Sequence, residues 1–84
     1  MDYKYLDKVV DQIVNETRLD RDERRLYTPF TSISLYFPTT IHFYNPTLFS
    51  PFSEHCKNVY GLNKEETDYV WDEYKKIIID KTNG

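Results

Sequence analysis

The apolar positions of this chain recur at two periods, one close to 3.6 residues and one of 2. In residues 2–17, Tyr3, Leu6, Val10, Ile13, Val14 and Thr17 share one helical side, with Val9 at its edge. Asp7, Lys8, Asp11, Gln12 and Asn15 take the other side, and Asp2 stands where an N-cap belongs. The β-branched run lowers the intrinsic helix propensity, so this helix needs a packing partner. A second stripe runs through residues 64–81: Thr67, Val70, Trp71, Tyr74, Ile77, Ile78 and Lys81, with Glu65, Asp68, Asp72, Glu73 and Lys76 facing away. It is the natural partner. Asn63 followed by Glu66 spells a capping box, and Asp72 with Lys76 makes an i,i+4 pair.

Just upstream, Ser50 reads as an N-cap and Pro51 as a first helical residue, with Phe52, Cys56 and Val59 on one face. Gly61 sits where a left-handed residue closes a helix, which predicts a helix over 51–60.

The period of 2 appears in Ser32–Phe37 and Thr40–Tyr44, where Ile33, Leu35, Phe37, Ile41 and Phe43 alternate with polar or tyrosine positions. A hairpin of strands 32–37 and 40–44 is expected, although the Pro38-Thr39 turn lacks the usual glycine. Residues 16–25 hold all four arginines, Arg18, Arg21, Arg24 and Arg25, interleaved with Glu16, Asp20, Asp22 and Glu23. Such a segment reads either as an anion-binding patch or as a self-neutralised, solvated connector, and interleaving favours the connector. Asp20 with Glu23 could cap one further turn.

Composition then sharpens the picture. Residues Leu26 to Ser53 contain no Asp, Glu, Lys or Arg, yet hold all the prolines, phenylalanines and serines of the chain. The window is either the missing half of a small core or an uncharged aromatic docking surface. On the second reading the partner-binding residues are Tyr36, Phe43, Tyr44 and Phe49, joined by Tyr60 at the helix-closing turn and Tyr69 off the main stripe. Trp71 reads first as a core anchor between the helices 2–17 and 64–81 and second as an interface hot spot.

Several chemistries are weighed and set aside. His55 and Cys56 are adjacent on one helix, which does not bring their side chains together as a nucleophilic pair. One cysteine and two histidines do not make a zinc pattern, and with Gly61 as the internal glycine there is no phosphate loop. No cofactor is expected. The helix-glycine-helix outline of 50–81 resembles a helix-turn-helix unit only in outline, because its second helix opens with Glu65, Glu66 and Asp68. The formal charge of −3 also disfavours nucleic acid as a partner.

A lone cysteine, a charged amino terminus and no apolar run of membrane length suggest a cytoplasmic protein without a membrane span. The absence of alanine beside abundant Tyr, Phe, Ile, Lys and Asn suggests A/T-rich codons, as in many phages. The cytoplasm would then be a host's.

The sequence therefore predicts a small α+β domain over 1–84, with an amphipathic helix and charged connector (1–25), an aromatic segment (26–53) and a two-helix unit (50–84). Its expected role is non-enzymatic: an accessory, adaptor or inhibitor that docks on another protein, such as transcription machinery. The alternatives are a DNA-binding regulator using 50–81 and a self-assembling structural subunit.

Overall fold

A computed structural model of the chain describes residues 1–32, 34–36 and 46–83. Helix α1 spans Tyr3–Glu16, strands β1, β2 and β3 span Arg18–Asp20, Arg25–Tyr27 and Leu35–Tyr36, and helices α2 and α3 span Pro46–Tyr60 and Lys64–Asn83. The strands form one antiparallel sheet in the order β1-β2-β3. The small α+β class expected from the sequence is the one observed.

The helix ends are set by the residues that the sequence nominated. The Asp2 carboxylate accepts from the Tyr5 N–H at 3.2 Å. Asn63 and Glu66 exchange the two bonds of a capping box, at 3.0 and 2.9 Å. Gly61 has φ +66°, and its N–H donates to the Lys57 carbonyl at 3.2 Å, which closes α2 with a left-handed cap.

Four expectations need correction. Residues 18–27 are not a connector or a helical extension but a β-hairpin, with Arg18, Leu19 and Asp20 opposite Tyr27, Leu26 and Arg25. The Asp20–Glu23 relation holds, but it ties the turn: the Glu23 N–H donates to Asp20 Oδ1 at 3.1 Å. Helix α1 stops because Thr17 turns extended (ψ 124°) and bends its N–H back to Val14. Second, α2 begins at Pro46 rather than Pro51, so Pro51 lies inside the helix. A proline there forfeits one intrahelical bond, and burial of Leu48 upstream and Phe52 downstream offsets it.

Third, Val59 and Tyr3, assigned to apolar stripes, are 59% and 53% exposed. On α2 the inward line is Leu48, Phe52 and Cys56, after which Leu62 takes the next core position beyond the Gly61 turn. Fourth, Lys76 pairs with Glu73 at 3.5 Å, while Asp72 pairs with Lys75 at the same distance, because both acids lie one turn back at i−3. Of the expected strand 32–37, Ser32 and Ser34 are not strand, Leu35–Tyr36 is, and it pairs with β2. The expected strand 40–44 lies outside the described residues.

The core lies between the inner face of the sheet and the helices. Leu26 and Leu35, opposite one another, are buried, and Leu19 packs against the same cluster. Phe30 sits edge-on to Phe52, Tyr74 and Trp71 at 5.1, 5.7 and 6.2 Å, and Phe52 contacts Trp71 at 4.5 Å. Trp71 is thus a core residue, fastened to α2 and to the segment before β3. The described part of the uncharged window finishes this core through Leu26, Phe30, Leu35, Leu48 and Phe52.

Helix α1 and the hairpin climb α3 in chain order. Tyr3 and Asp7 meet Tyr69, Thr17 meets Tyr74, and the Arg21 guanidinium donates to the Lys81 carbonyl at 2.8 Å. Thr17 Oγ1 donates to the Ile13 carbonyl at 2.7 Å, so its single proton is spent and Tyr74 is the donor in their 2.8 Å bond.

Candidate docking face

The same alternation that buries the leucine row turns a second row outward. In a sheet, residues directly opposite share a face and neighbours along the strand alternate. Leu19, Leu26 and Leu35 point into the core, so Arg18, Asp20, Arg25, Tyr27 and Tyr36 share the outer face.

On that face each tyrosine carries an arginine. The Arg18 guanidinium carbon lies 4.3 Å from the centre of the Tyr27 ring, and that of Arg25 lies 5.1 Å from the Tyr36 ring. Both pairs are the directly opposed residues of the register. Tyr36 is 51% exposed. Tyr36 beside it pushes the Arg25 pKa further up, so that side chain is a permanent cation. Its ion pair with Glu23, at 3.9 Å, is exposed and weak. Arg24, at the hairpin tip, adopts φ 57°, a left-handed position inside the four-residue turn.

The other sequence-nominated residues are dispersed. Phe49 is half-buried, edge-on to Trp71 at 5.8 Å. Tyr69 is half-buried, donates to Asp7 at 2.9 Å and stands edge-on to Tyr3 at 5.1 Å; the bond to Asp7 raises its pKa. Tyr60 is half-buried, accepts the Tyr5 hydroxyl on its carbonyl at 2.9 Å, and has its pKa raised chiefly by burial. Tyr60 also lines a groove of about 430 Å³ with Tyr5, Lys8, Val9, Glu16 and Val59. Phe43 and Tyr44 lie outside the described residues. Of the nominated residues that are described, Tyr36 alone joins the arginine row. Arg18, Arg25 and Tyr27 were not nominated, although Arg-Leu-Asp and Arg-Leu-Tyr are each a polar-apolar-polar triplet.

Cys56 is fully buried, and burial pushes its thiol up to about 12, so it is protonated at neutral pH. Among the described residues no cluster of three or more His, Cys, Asp or Glu is placed to hold a metal ion, and no helix is long and apolar enough to cross a membrane. Comparison of the chain with protein-family models, with curated proteins and with solved structures finds no match.

Proposed function

We propose that this chain is a non-enzymatic protein-docking module, an accessory, adaptor or inhibitor that binds a larger assembly through the outer face of its sheet. The observation that carries this reading is the outward row Arg18, Arg25, Tyr27 and Tyr36, of which Arg18 and Tyr36 are exposed and Arg25 and Tyr27 half-buried. Tyrosine and arginine dominate interface hot spots, because each combines a large contact area with directional hydrogen bonding. Each ring holds its guanidinium in place before a partner arrives, so less side-chain entropy is lost on docking. The exposed Glu65 and Asp68 at the start of α3 weigh against laying that helix on a phosphate backbone. A reducing, cytoplasmic setting suits the lone, buried Cys56.

The test is affinity capture with the full chain and two sets of surface variants. Tyr27→Ser with Tyr36→Ser should lose the captured protein while keeping helix content. Glu65→Ser with Asp68→Ser should retain it. Capture that survives the sheet variants and fails with the helix variants would refute docking through the sheet.

A further inference from the structure

Resting on that docking reading, we propose what the face receives: an extended, acidic segment of a partner protein, with carboxylates at alternate residues, each held by one tyrosine-backed guanidinium. A guanidinium over a ring is held by the ring's π face, while its N–H donors lie in its own plane and can still turn to an acceptor. At Arg18 that leaves a donor fork on the face. The Arg25 fork also bonds the Tyr27 side chain and meets Glu23 at 3.9 Å, a weak exposed pair that an incoming carboxylate displaces. A planar fork matches a carboxylate in two parallel bonds. Arg18 and Arg25 are diagonal neighbours across β1 and β2, a relation that separates residues by ~7–8 Å. Side chains on one side of an extended strand recur every ~6.5 Å, so consecutive outward carboxylates of such a segment reach both forks.

Charge placement supports an acidic occupant. Arg18–Arg25 holds four arginines against three acids, a local excess of one positive charge on a chain whose formal charge is −3. The acids on or beside the face are engaged locally: Asp20 accepts the Glu23 N–H, and Glu23 faces Arg25 at 3.9 Å. Asp22 and Arg24 belong to the exposed turn beyond the face. A nucleic-acid strand has the opposite requirement. Its phosphates continue in both directions and gain affinity from each cation they meet, whereas this face offers two forks and then acids.

The experiment is an NMR titration of the full chain that follows the Arg18 and Arg25 Nε–H signals and the Tyr36 ring. The probes are a peptide alternating Glu with Thr, the same peptide with Gln for Glu, and an oligothymidylate. The Glu peptide should shift those three groups, weaken as salt rises, and leave the α3 amides in place. The Gln peptide should shift none of them. R18Q/R25Q should weaken Glu-peptide binding about tenfold or more, and R18K/R25K should weaken it nearly as much, because lysine keeps the charge and loses the fork. Equal response to the Glu and Gln peptides, or none to either, overturns the inference. So does tighter binding of the oligothymidylate at the same residues, which would assign the face to nucleic acid. A partner lost by Tyr27→Ser with Tyr36→Ser but kept by R18Q/R25Q would leave the docking function standing and remove its acidic ligand.

Discussion

Leu26 is the sharpest place to test this fold, because the register of the whole sheet turns on its side chain pointing inward. It follows the arginine-rich run directly, yet it sits in the central strand, fully buried, with Leu19 and Leu35 directly opposite on either side. Leu26→Ala removes three buried carbons. At ~0.8 kcal/mol each, the transfer term is ~2.4 kcal/mol. Strand β2 is held on both sides, so the site cannot collapse fully, and the cavity term raises the cost to ~3–4 kcal/mol. A chain of this length holds ~4–13 kcal/mol in total, so the variant should be barely folded or unfolded at 37 °C.

Urea denaturation followed by far-UV circular dichroism measures the effect, with the slope checked for constancy. Arg25→Gln is the control, because it changes the preceding residue on the opposite face and should cost less than about 1 kcal/mol. A Leu26→Ala cost no larger than that of the control would place Leu26 in solvent. The hairpin, and with it the outer face built on its register, would then be wrong.

Other consequences follow from single residues. Asn63→Ala removes the side-chain half of the capping box and should cost ~1 kcal/mol in the same assay; adding Glu66→Ala should cost little more, since the two bonds act together. Gly61→Ala should cost ~1 kcal/mol from backbone conformation alone, because an added Cβ would meet nothing within 4 Å. Arg24→Asn should have the opposite sign and stabilise by a few tenths of a kcal/mol, as asparagine tolerates the φ of 57° that Arg24 adopts. Cys56 keeps its proton in the fold up to about 12, whereas an exposed thiol ionises near ~8.5. Its contribution is complete below the lower value and is lost as pH climbs towards the upper one, by at most ~1.4 kcal/mol per pH unit. Tyr74, raised by burial, adds a similar loss above ~10, so Cys56→Val should flatten only the earlier part of the alkaline decline in urea midpoints.

The helices were legible because their signals are local. A cap, a box and a left-handed glycine each act within four residues, and Asp2, Asn63, Glu66 and Gly61 all take those roles. Helix α2 was misjudged at its start because Ser50-Pro51 is a strong local signal that tertiary burial overrides. Leu48 gains a core site by being helical one turn earlier, and the chain accepts a proline inside the helix for it. The hairpin was illegible for a related reason. Strands of three residues show one inward position each, Leu19 and Leu26, too few for a period to be seen among so many charges. The docking face inherits that difficulty, since its residues become neighbours only once β1, β2 and β3 are in register. Tyr36 was found because tyrosine is conspicuous in an uncharged run. Arg18 and Arg25 looked neutralised by sequence neighbours, and Asp20 does share their face opposite Arg25, but what the sequence hides is the tyrosine that the register sets opposite each arginine.

The two faces of this small sheet divide labour in a way that bears on how its function can be probed. Inward, Leu26 and Leu35 are buried with the aromatic cluster, and changes there act on the whole fold. Outward, each arginine–tyrosine pair has one exposed and one half-buried member and is worth ~0.5–1 kcal/mol, so both together are a minor part of the stability of the chain. Stability alone therefore gives little reason to place two arginines over two tyrosines on a chain whose other charges are mostly on helix surfaces. Threonine pairs would satisfy a short exposed sheet equally well. A face that is dispensable for folding but preorganised for contact is the kind of surface on which binding and stability separate cleanly. Variants of Arg18, Arg25, Tyr27 and Tyr36 should therefore unfold with the parent while differing from it in what they bind.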